Sequence, residues 1–360
     1  MRTRLAIPAL ATAAVLFAGC TAQSSSSAPA PGLMPALTPQ QSLMAAVTNT
    51  GQGKDLTTSI RVDATADDLK KLAVAVADED VISADDQKSI DMIAAIVPKV
   101  VIKTALHSRG AEFNTEKDPN NIDGSFTVSV DSKPIEGLWV GGQAFVHADV
   151  EGIGKATGLF TSDDVQMIAG AMATSMPWIN TLIEGQWVAL DKATVAAYLE
   201  QLRAQEASAS PAATPTPTID AAKVSQAFVN ASEVTKIDDQ TYKLVADAKK
   251  MIKATAALDP NDDLTDADAD EAIAQLNDGA NLDATISVAD GKVTKVVVDI
   301  ADILRTWAKP NPEEPMIAKL AATDFKLSGV VEMSSADPKL AAPSAGATIP
   351  ASDLKQLLPS

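Results

Sequence analysis

The sequence has little cysteine, few aromatic residues and a shortage of positive charge, and each shortage excludes a class of protein. Cys20 is the only cysteine among 360 residues, so no disulfide can form within the chain. Acidic residues outnumber basic ones by 47 to 29, and the formal net charge is −18. Such a negative surface, with no basic patch, repels phosphate backbones. We therefore expect no nucleic-acid partner.

Long apolar runs are also missing beyond the first twenty residues. A membrane-spanning helix needs about 20 consecutive apolar residues, and no such run follows the N-terminal segment. The body of the chain is therefore predicted not to span a membrane. Aromatic residues make up only 4% of the chain, so its core must be built mainly from Ala, Val, Ile and Leu.

Residues 1–19 have the layout of a secretory signal peptide. Two arginines precede a short run of apolar and small residues at 5–17, and small residues then lead into Cys20. This junction resembles the lipobox of bacterial lipoproteins, although Phe17 stands where that family usually has Leu. The resemblance implies cleavage before Cys20 and acylation of its sulfur. The alternative is an ordinary cleaved signal followed by an incidental cysteine.

Residues 20–39 are predicted to form a flexible tether behind the acylated cysteine. They consist mainly of Ser, Ala and Pro with almost no charge, a composition that cannot bury a core. Each buried CH₂ contributes roughly 0.8 kcal/mol, and one acyl chain anchors only marginally. The resemblance implies at least two chains on Cys20. The membrane is thus the predicted partner, with the protein at the outer face of the cell membrane.

The hydrophobic period changes repeatedly along residues 40–360, which predicts an α+β body. Alternation of apolar and polar residues predicts β-structure at 56–64, 100–107, 125–132, 138–147, 186–190, 233–244, 283–300 and 324–333, with a hairpin at 283–300. Apolar residues at helical spacing predict α-helical structure at 39–50, 67–97, 149–183, 192–205, 221–231, 246–258 and 268–276. A low-complexity stretch at 206–218 either links two domains or is an insertion within one.

This order of elements resembles the LolA-like half-barrel lipoproteins of actinobacteria, the LppX and LprG group. The likeness depends on the amphipathic strand at 54–64, the strand pair at 125–148 and the hairpin LDATISVADGKVTKVVVDI at 282–300. It implies a curved antiparallel sheet with helices packed across its concave side. The closing strands belong to the same sheet in that fold, which favours one body over 40–360 with 206–218 as an insertion.

The same resemblance implies a cavity between sheet and helices that holds a lipid or another hydrophobic molecule. A curved sheet with an apolar face closed by helices is physically suited to that task. The alternative is a solid core, with the protein serving as a cell-envelope interaction or scaffold lipoprotein. The predicted cavity-wall residues are Leu43, Ile60, Val62, Val128, Val130, Met167, Ile168, Met172, Ile286, Val288, Val296 and Val298.

Catalysis is the least favoured of the hypotheses. His107 and His147 are the only histidines, and on neighbouring strands they would be able to share a metal ion. The body contains no cysteine and no dense carboxylate spacing near either one, so no metal ligand is predicted. No Gly-x-Ser-x-Gly turn is present to hold a nucleophile. The sequence therefore predicts a non-enzymatic protein without a cofactor, and a hydrolase or metal-dependent enzyme is the remaining alternative.

Overall fold

The structure is a computed structural model that describes residues 37–77, 82–113, 121–172, 174–193, 195–197, 228–256, 266–307 and 315–357. Cys20, the signal segment 1–19 and the low-complexity stretch 206–218 lie outside these ranges. The predicted division into signal, tether and single body accordingly stays a prediction.

Twelve strands in the described part of the chain pair into one curved, open sheet. The spatial order is β12-β6-β5-β4-β3-β2-β1-β11-β10-β9-β8-β7. Every neighbouring pair is antiparallel except β6 and β12, which run parallel. The predicted α+β fold with a curved sheet is confirmed, with the correction that the sheet is mixed at one edge. The strands are β1 Asp55–Asp63, β2 Val100–Ser108, β3 Ile122–Val130, β4 Lys133–Val140, β5 Gln143–Ala148, β6 Val188–Leu190, β7 Ser232–Lys236, β8 Thr241–Asp247, β9 Asn281–Ala289, β10 Lys292–Asp299, β11 Ser328–Ser334 and β12 Ala347–Ile349.

The helices begin where local capping residues favour them. Thr38, Thr65 and Ser83 each accept a hydrogen bond from a backbone N–H in the first turn of the helix that follows. The helices are α1 Pro39–Gly51, α2 Ala66–Val76, α3 Ala84–Ile96, α4 Val150–Thr157, α5 Ser162–Met172, α6 Trp178–Ile183, α7 Ala248–Ala256, α8 Asp266–Ala274, α9 Ile300–Thr306, α10 Pro315–Ala322 and α11 Ala351–Leu357.

Glycines at left-handed positions correct two of the predicted elements. The single strand predicted at 138–147 is a hairpin, because Gly141 and Gly142 have φ angles of +60° and +75° and turn the chain between β4 and β5. The predicted helical stretch at 149–183 is three helices. The first of them ends at Gly158, whose φ is +69°.

Three hydrophobic cores join helices to one face of the sheet. In the first core, Leu43 of α1 packs among side chains of β8 to β11, and it is fully buried together with Leu244 and Ile286. The second core joins α2, α9 and α10 around Phe325. The third joins α6 and α11 to β5, β6 and β12 around Val188. Their buried members are mostly aliphatic, as the scarcity of aromatic residues predicts.

Seven of the described helices attach to one end of the sheet. The connections from β1 to β2, from β5 to β6 and from β10 to β11 contain α2 and α3, then α4 to α6, then α9 and α10. The strand register brings all of these connections to the same end of the sheet. The helices contact one another in the series α9-α10-α2-α3-α4-α5-α6. We call this series the helix belt.

A buried carboxylate fixes the helix belt to the sheet. Asp68 of α2 accepts hydrogen bonds from the Thr65 backbone N–H at 3.2 Å and from the Thr65 hydroxyl at 2.6 Å. Its other oxygen accepts from the backbone N–H of Lys326 at 2.9 Å, just before β11. The Thr65 hydrogen bond and then the Lys326 hydrogen bond hold the pKa of Asp68 below its usual value. The charged form is thus the one that the fold stabilises.

We expect Asp68→Ala to lower the free energy of unfolding by about 1–3 kcal/mol at pH 7, because the Lys326 N–H loses its acceptor and α2 loses its capping box. Since the pKa is lowered in the fold, this contribution is complete above about pH 4 and is lost as the pH falls through the native pKa. Urea unfolding at pH 7 and pH 3 measures both effects.

The matched control is Asp67→Ala on the same turn of α2. Asp67 is 74% exposed and, within the described residues, pairs only with Lys71 at 2.8 Å, so its removal should change stability by less than about 0.5 kcal/mol. Equal losses from the two variants would contradict the anchoring role of Asp68.

Candidate functional site

The strand register places all eight predicted wall residues of the strands on one face of the sheet. Residues directly opposite each other in an antiparallel ladder project from the same face. One row of partners crosses the sheet and contains Val128, Ile102, Ile60, Val331, Val296 and Ile286. The other predicted strand residues, Val62, Val130, Val288 and Val298, lie two positions along the same strands. This is the face on which the helices pack.

Most of those residues lie within packed cores. Leu43, Ile286 and Val296 are at most 1% exposed and belong to the first core. Further predicted wall residues pack against the first or second core, namely Ile60, Val288, Val298 and Val62. These seven side chains contact other side chains of the protein. Their place in a ligand cavity stays a prediction.

The predicted wall residues on α5 are placed differently. Met167 and Ile168 are 71% and 54% exposed, and Met172 at the end of the helix is partly exposed. The helix instead buries Val165 and Ala169. Helical spacing identified apolar residues here, but the side of α5 that packs inward is the one that carries the smaller side chains.

The middle of the helix-bearing face is formed by β2, β3 and β4. Among the described residues, these three strands contribute no side chain to any of the three cores. Their apolar residues on this face form a patch that we call the floor, which consists of Ile102, Leu106, Phe126, Val128, Ile135 and Trp139. Leu106, Phe126 and Ile135 are 38%, 50% and 52% exposed. The predicted wall residue Val128 lies in the floor, and Val130 continues it towards the helix belt.

The floor has the wrong polarity for a face that only contacts water. An antiparallel sheet normally turns its apolar side to the core and its polar side to solvent. Here the opposite face of the same strands carries Lys103, Thr127 and Glu136 beside the buried Ala105 and Leu138, while the apolar floor residues Leu106, Phe126 and Ile135 are exposed. A contiguous apolar patch of this kind typically marks a binding surface. The floor is therefore the candidate functional site.

Two pockets of the described chain lie elsewhere. One, of about 250 Å³, lies at the β9–β10 turn beside Thr50 and Ser334. The other, of about 330 Å³, lies between α4 and α5 and is lined by Gly154, Phe160 and Val165. Neither contains a floor residue or a predicted wall residue.

The two histidines do not meet. His107 lies on β2 and His147 on β5, with β3 and β4 between them. Each histidine instead faces a carboxylate on the neighbouring strand: His107 Nδ1 is 2.7 Å from Asp55 Oδ1, and His147 Nδ1 is 3.1 Å from Glu136 Oε2. The second contact lacks hydrogen-bond geometry. A metal site shared by the two histidines, which the sequence left as an alternative, is therefore wrong.

Truncating one side chain of the first core and one of the floor tests whether the floor is exposed in the folded protein. We expect Ile286→Ala to lower the free energy of unfolding by about 2–5 kcal/mol, because it opens a cavity in the first core. Phe126→Ala should cost about 1 kcal/mol, since half of the Phe126 side chain is already exposed. Chemical denaturation of both variants tests this. A loss at Phe126 as large as that at Ile286 would show that the floor is covered in the folded protein.

Comparison with known proteins adds a solved structure to these observations. No protein-family model and no curated protein matches the chain. The lipoprotein LppX of Mycobacterium tuberculosis has a structure that aligns with 84% of this chain and 98% of its own, at 9% sequence identity and a TM-score of 0.28. A score of this size does not establish a common fold, and the architecture above depends only on the strand pairings of this chain. Among its described residues, no helix is both long and apolar enough to cross a membrane.

Proposed function

We propose that this protein is an extracytoplasmic lipoprotein, anchored at the outer face of the cell membrane, that binds or carries a lipid or other hydrophobic ligand on the floor. The observation that supports this most strongly is the exposure of Leu106, Phe126 and Ile135 in the middle of the helix-bearing face. Packed cores lie on both sides of them along the sheet. An apolar molecule bound there would cover these exposed side chains, as the helices cover the apolar residues on both sides.

The floor can supply useful binding free energy. Fully burying an aliphatic or aromatic side chain contributes about 1.5–3 kcal/mol. Covering the exposed parts of Leu106, Phe126 and Ile135 would therefore contribute about 3 kcal/mol in total. That corresponds to roughly a hundredfold in affinity. The net charge of −18 disfavours a strongly anionic ligand, so a neutral or zwitterionic molecule fits best.

The anchoring part of the proposal depends on the sequence. Residues 1–20 resemble a lipobox signal, and the Ser-, Ala- and Pro-rich segment after Cys20 has the composition of a tether. A flexible chain of that length has an end-to-end distance of about 20–25 Å. The body would therefore remain close to the lipid surface, where apolar ligands are available.

A second candidate function is that of an interaction scaffold. Seven of the predicted wall residues lie within packed cores, which is what a body without a ligand requires. Exposed apolar residues on the helix belt, such as Val74 and Ile93, would then contact a protein partner. The first function requires an apolar ligand to bind on the floor and the scaffold function does not, so a binding measurement distinguishes them.

The binding test uses the full chain with Cys20→Ser and a neutral probe, the methyl ester of a fluorescent fatty acid. We expect saturable binding, and we expect Phe126→Asp to weaken it at least about tenfold, because a charge in the floor must be desolvated by the ligand. Native mass spectrometry of the same protein should show a co-purified apolar molecule.

The matched control is Ile237→Asp. Ile237 is 58% exposed but lies next to β7 at the far edge of the sheet, so the same charge there should leave probe affinity unchanged. Absence of probe binding, or equal weakening by both variants, would contradict ligand binding on the floor and favour the scaffold.

Anchoring has a separate test. We expect labelled palmitate to be incorporated into the protein in cells and Cys20→Ser to abolish the incorporation, because Cys20 is the only thiol. The variant should also move from the membrane fraction to the soluble fraction, since the body would lose its acyl chains. Retention of Cys20→Ser in the membrane fraction would count against the lipid anchor.

A further inference from the structure

A second group of side chains, distinct from the floor, lies at one end of the sheet. Asp55, His107 and Asp337 each offer one ligand atom, and these three atoms lie within 4.8 Å of one another. Asp55 and His107 project from the face of the sheet opposite the floor, because they alternate with the floor-side residues of β1 and β2. We propose that these three residues form a zinc-binding site.

The sheet topology assembles the site from three adjacent strands. Asp55 begins β1 and is the direct register partner of His107 on β2. On the other side of β1, Thr57 pairs with Ser334 at the end of β11, and the chain reaches Asp337 three residues later. All three residues thus lie at the end of the sheet that is opposite the helix belt.

Hydrogen bonds orient all three side chains. Asp55 Oδ1 and His107 Nδ1 form a hydrogen bond of 2.7 Å that zinc coordination would replace, and these side chains are only 21% and 30% exposed. The backbone N–H of Lys339 donates to Asp337 Oδ1 at 2.7 Å and so orients that carboxylate. Two partly buried ligands and one exposed ligand leave the site open to solvent on one side.

The set of donor atoms suits zinc. Zn²⁺ binds imidazole nitrogen and carboxylate oxygen at about 2.0–2.2 Å, and sites with three protein ligands leave a fourth position for water. Ca²⁺ prefers six to eight oxygen ligands, and the imidazole makes it a poor match. Two carboxylates beside one imidazole carry excess negative charge, which a divalent cation neutralises. The net charge of −18 also raises the local concentration of cations.

The chain contains a matched comparison on the same face of the sheet. His147 and Glu136 are also direct register partners, on β5 and β4, with 3.1 Å between their ring nitrogen and carboxylate oxygen. In the described residues, no third metal-binding side chain joins them. The pair of His147 and Glu136 is therefore the control for the three-residue site.

The test is calorimetric titration of zinc chloride into the full chain with Cys20→Ser, a background that removes the only thiol ligand. We expect one zinc ion per chain. His107→Ala and Asp337→Asn should each weaken zinc binding at least about tenfold, since each removes a ligand. His147→Ala should leave the affinity unchanged, and calcium chloride should not compete.

Asp337→Asn keeps the test decisive, because Asp337 is exposed and this substitution preserves its size. Its circular dichroism spectrum should match that of the parent. The proposal is overturned if no stoichiometric zinc binding is detected or if Asp337→Asn binds zinc as well as the parent. It is also overturned if His147→Ala loses as much affinity as His107→Ala.

Discussion

The apolar face of the sheet is the constraint on which the rest of the structure depends. Side chains alternate between the two faces of a strand, so a slip of one residue in any pairing would turn an apolar row to the other side. The register from β3 through β1 and β11 to β9 keeps Val128, Ile60 and Ile286 in one row. Helices can cover this face only where their connections let them reach it.

That geometry explains why the sheet is covered unevenly. The helix belt attaches to one end of the strands, α1 packs over β7 and β10, and α6 packs beside β5, β6 and β12. The strands β2, β3 and β4 lie between these two regions. The floor and the cluster of Asp55, His107 and Asp337 lie on opposite sides of the sheet, because Leu106 and His107 are successive residues of β2.

Local signals predicted the late hairpin correctly but did not show where the strand predicted at 138–147 turns. The hairpin predicted at 283–300 is confirmed as β9 and β10, and its turn contains Asp290 and Gly291, both at positive φ. The two glycines inside the strand predicted at 138–147 indicated a bulge or a bend within one strand. A short apolar alternation on both sides does not reveal a full turn, which only the antiparallel pairing of β4 with β5, with Val140 opposite Gln143, established.

The sequence by itself determined the α+β class, the aliphatic core, the negative charge and the alternation that puts the predicted strand residues on one face, because these follow from composition and from periodicity over a few residues. Only the tertiary structure decided that Ile286 is buried while Phe126 is exposed, and that Asp337 lies near His107. Exposure depends on where distant helices pack, and a side-chain cluster depends on which strands become neighbours. Neither is encoded in local spacing.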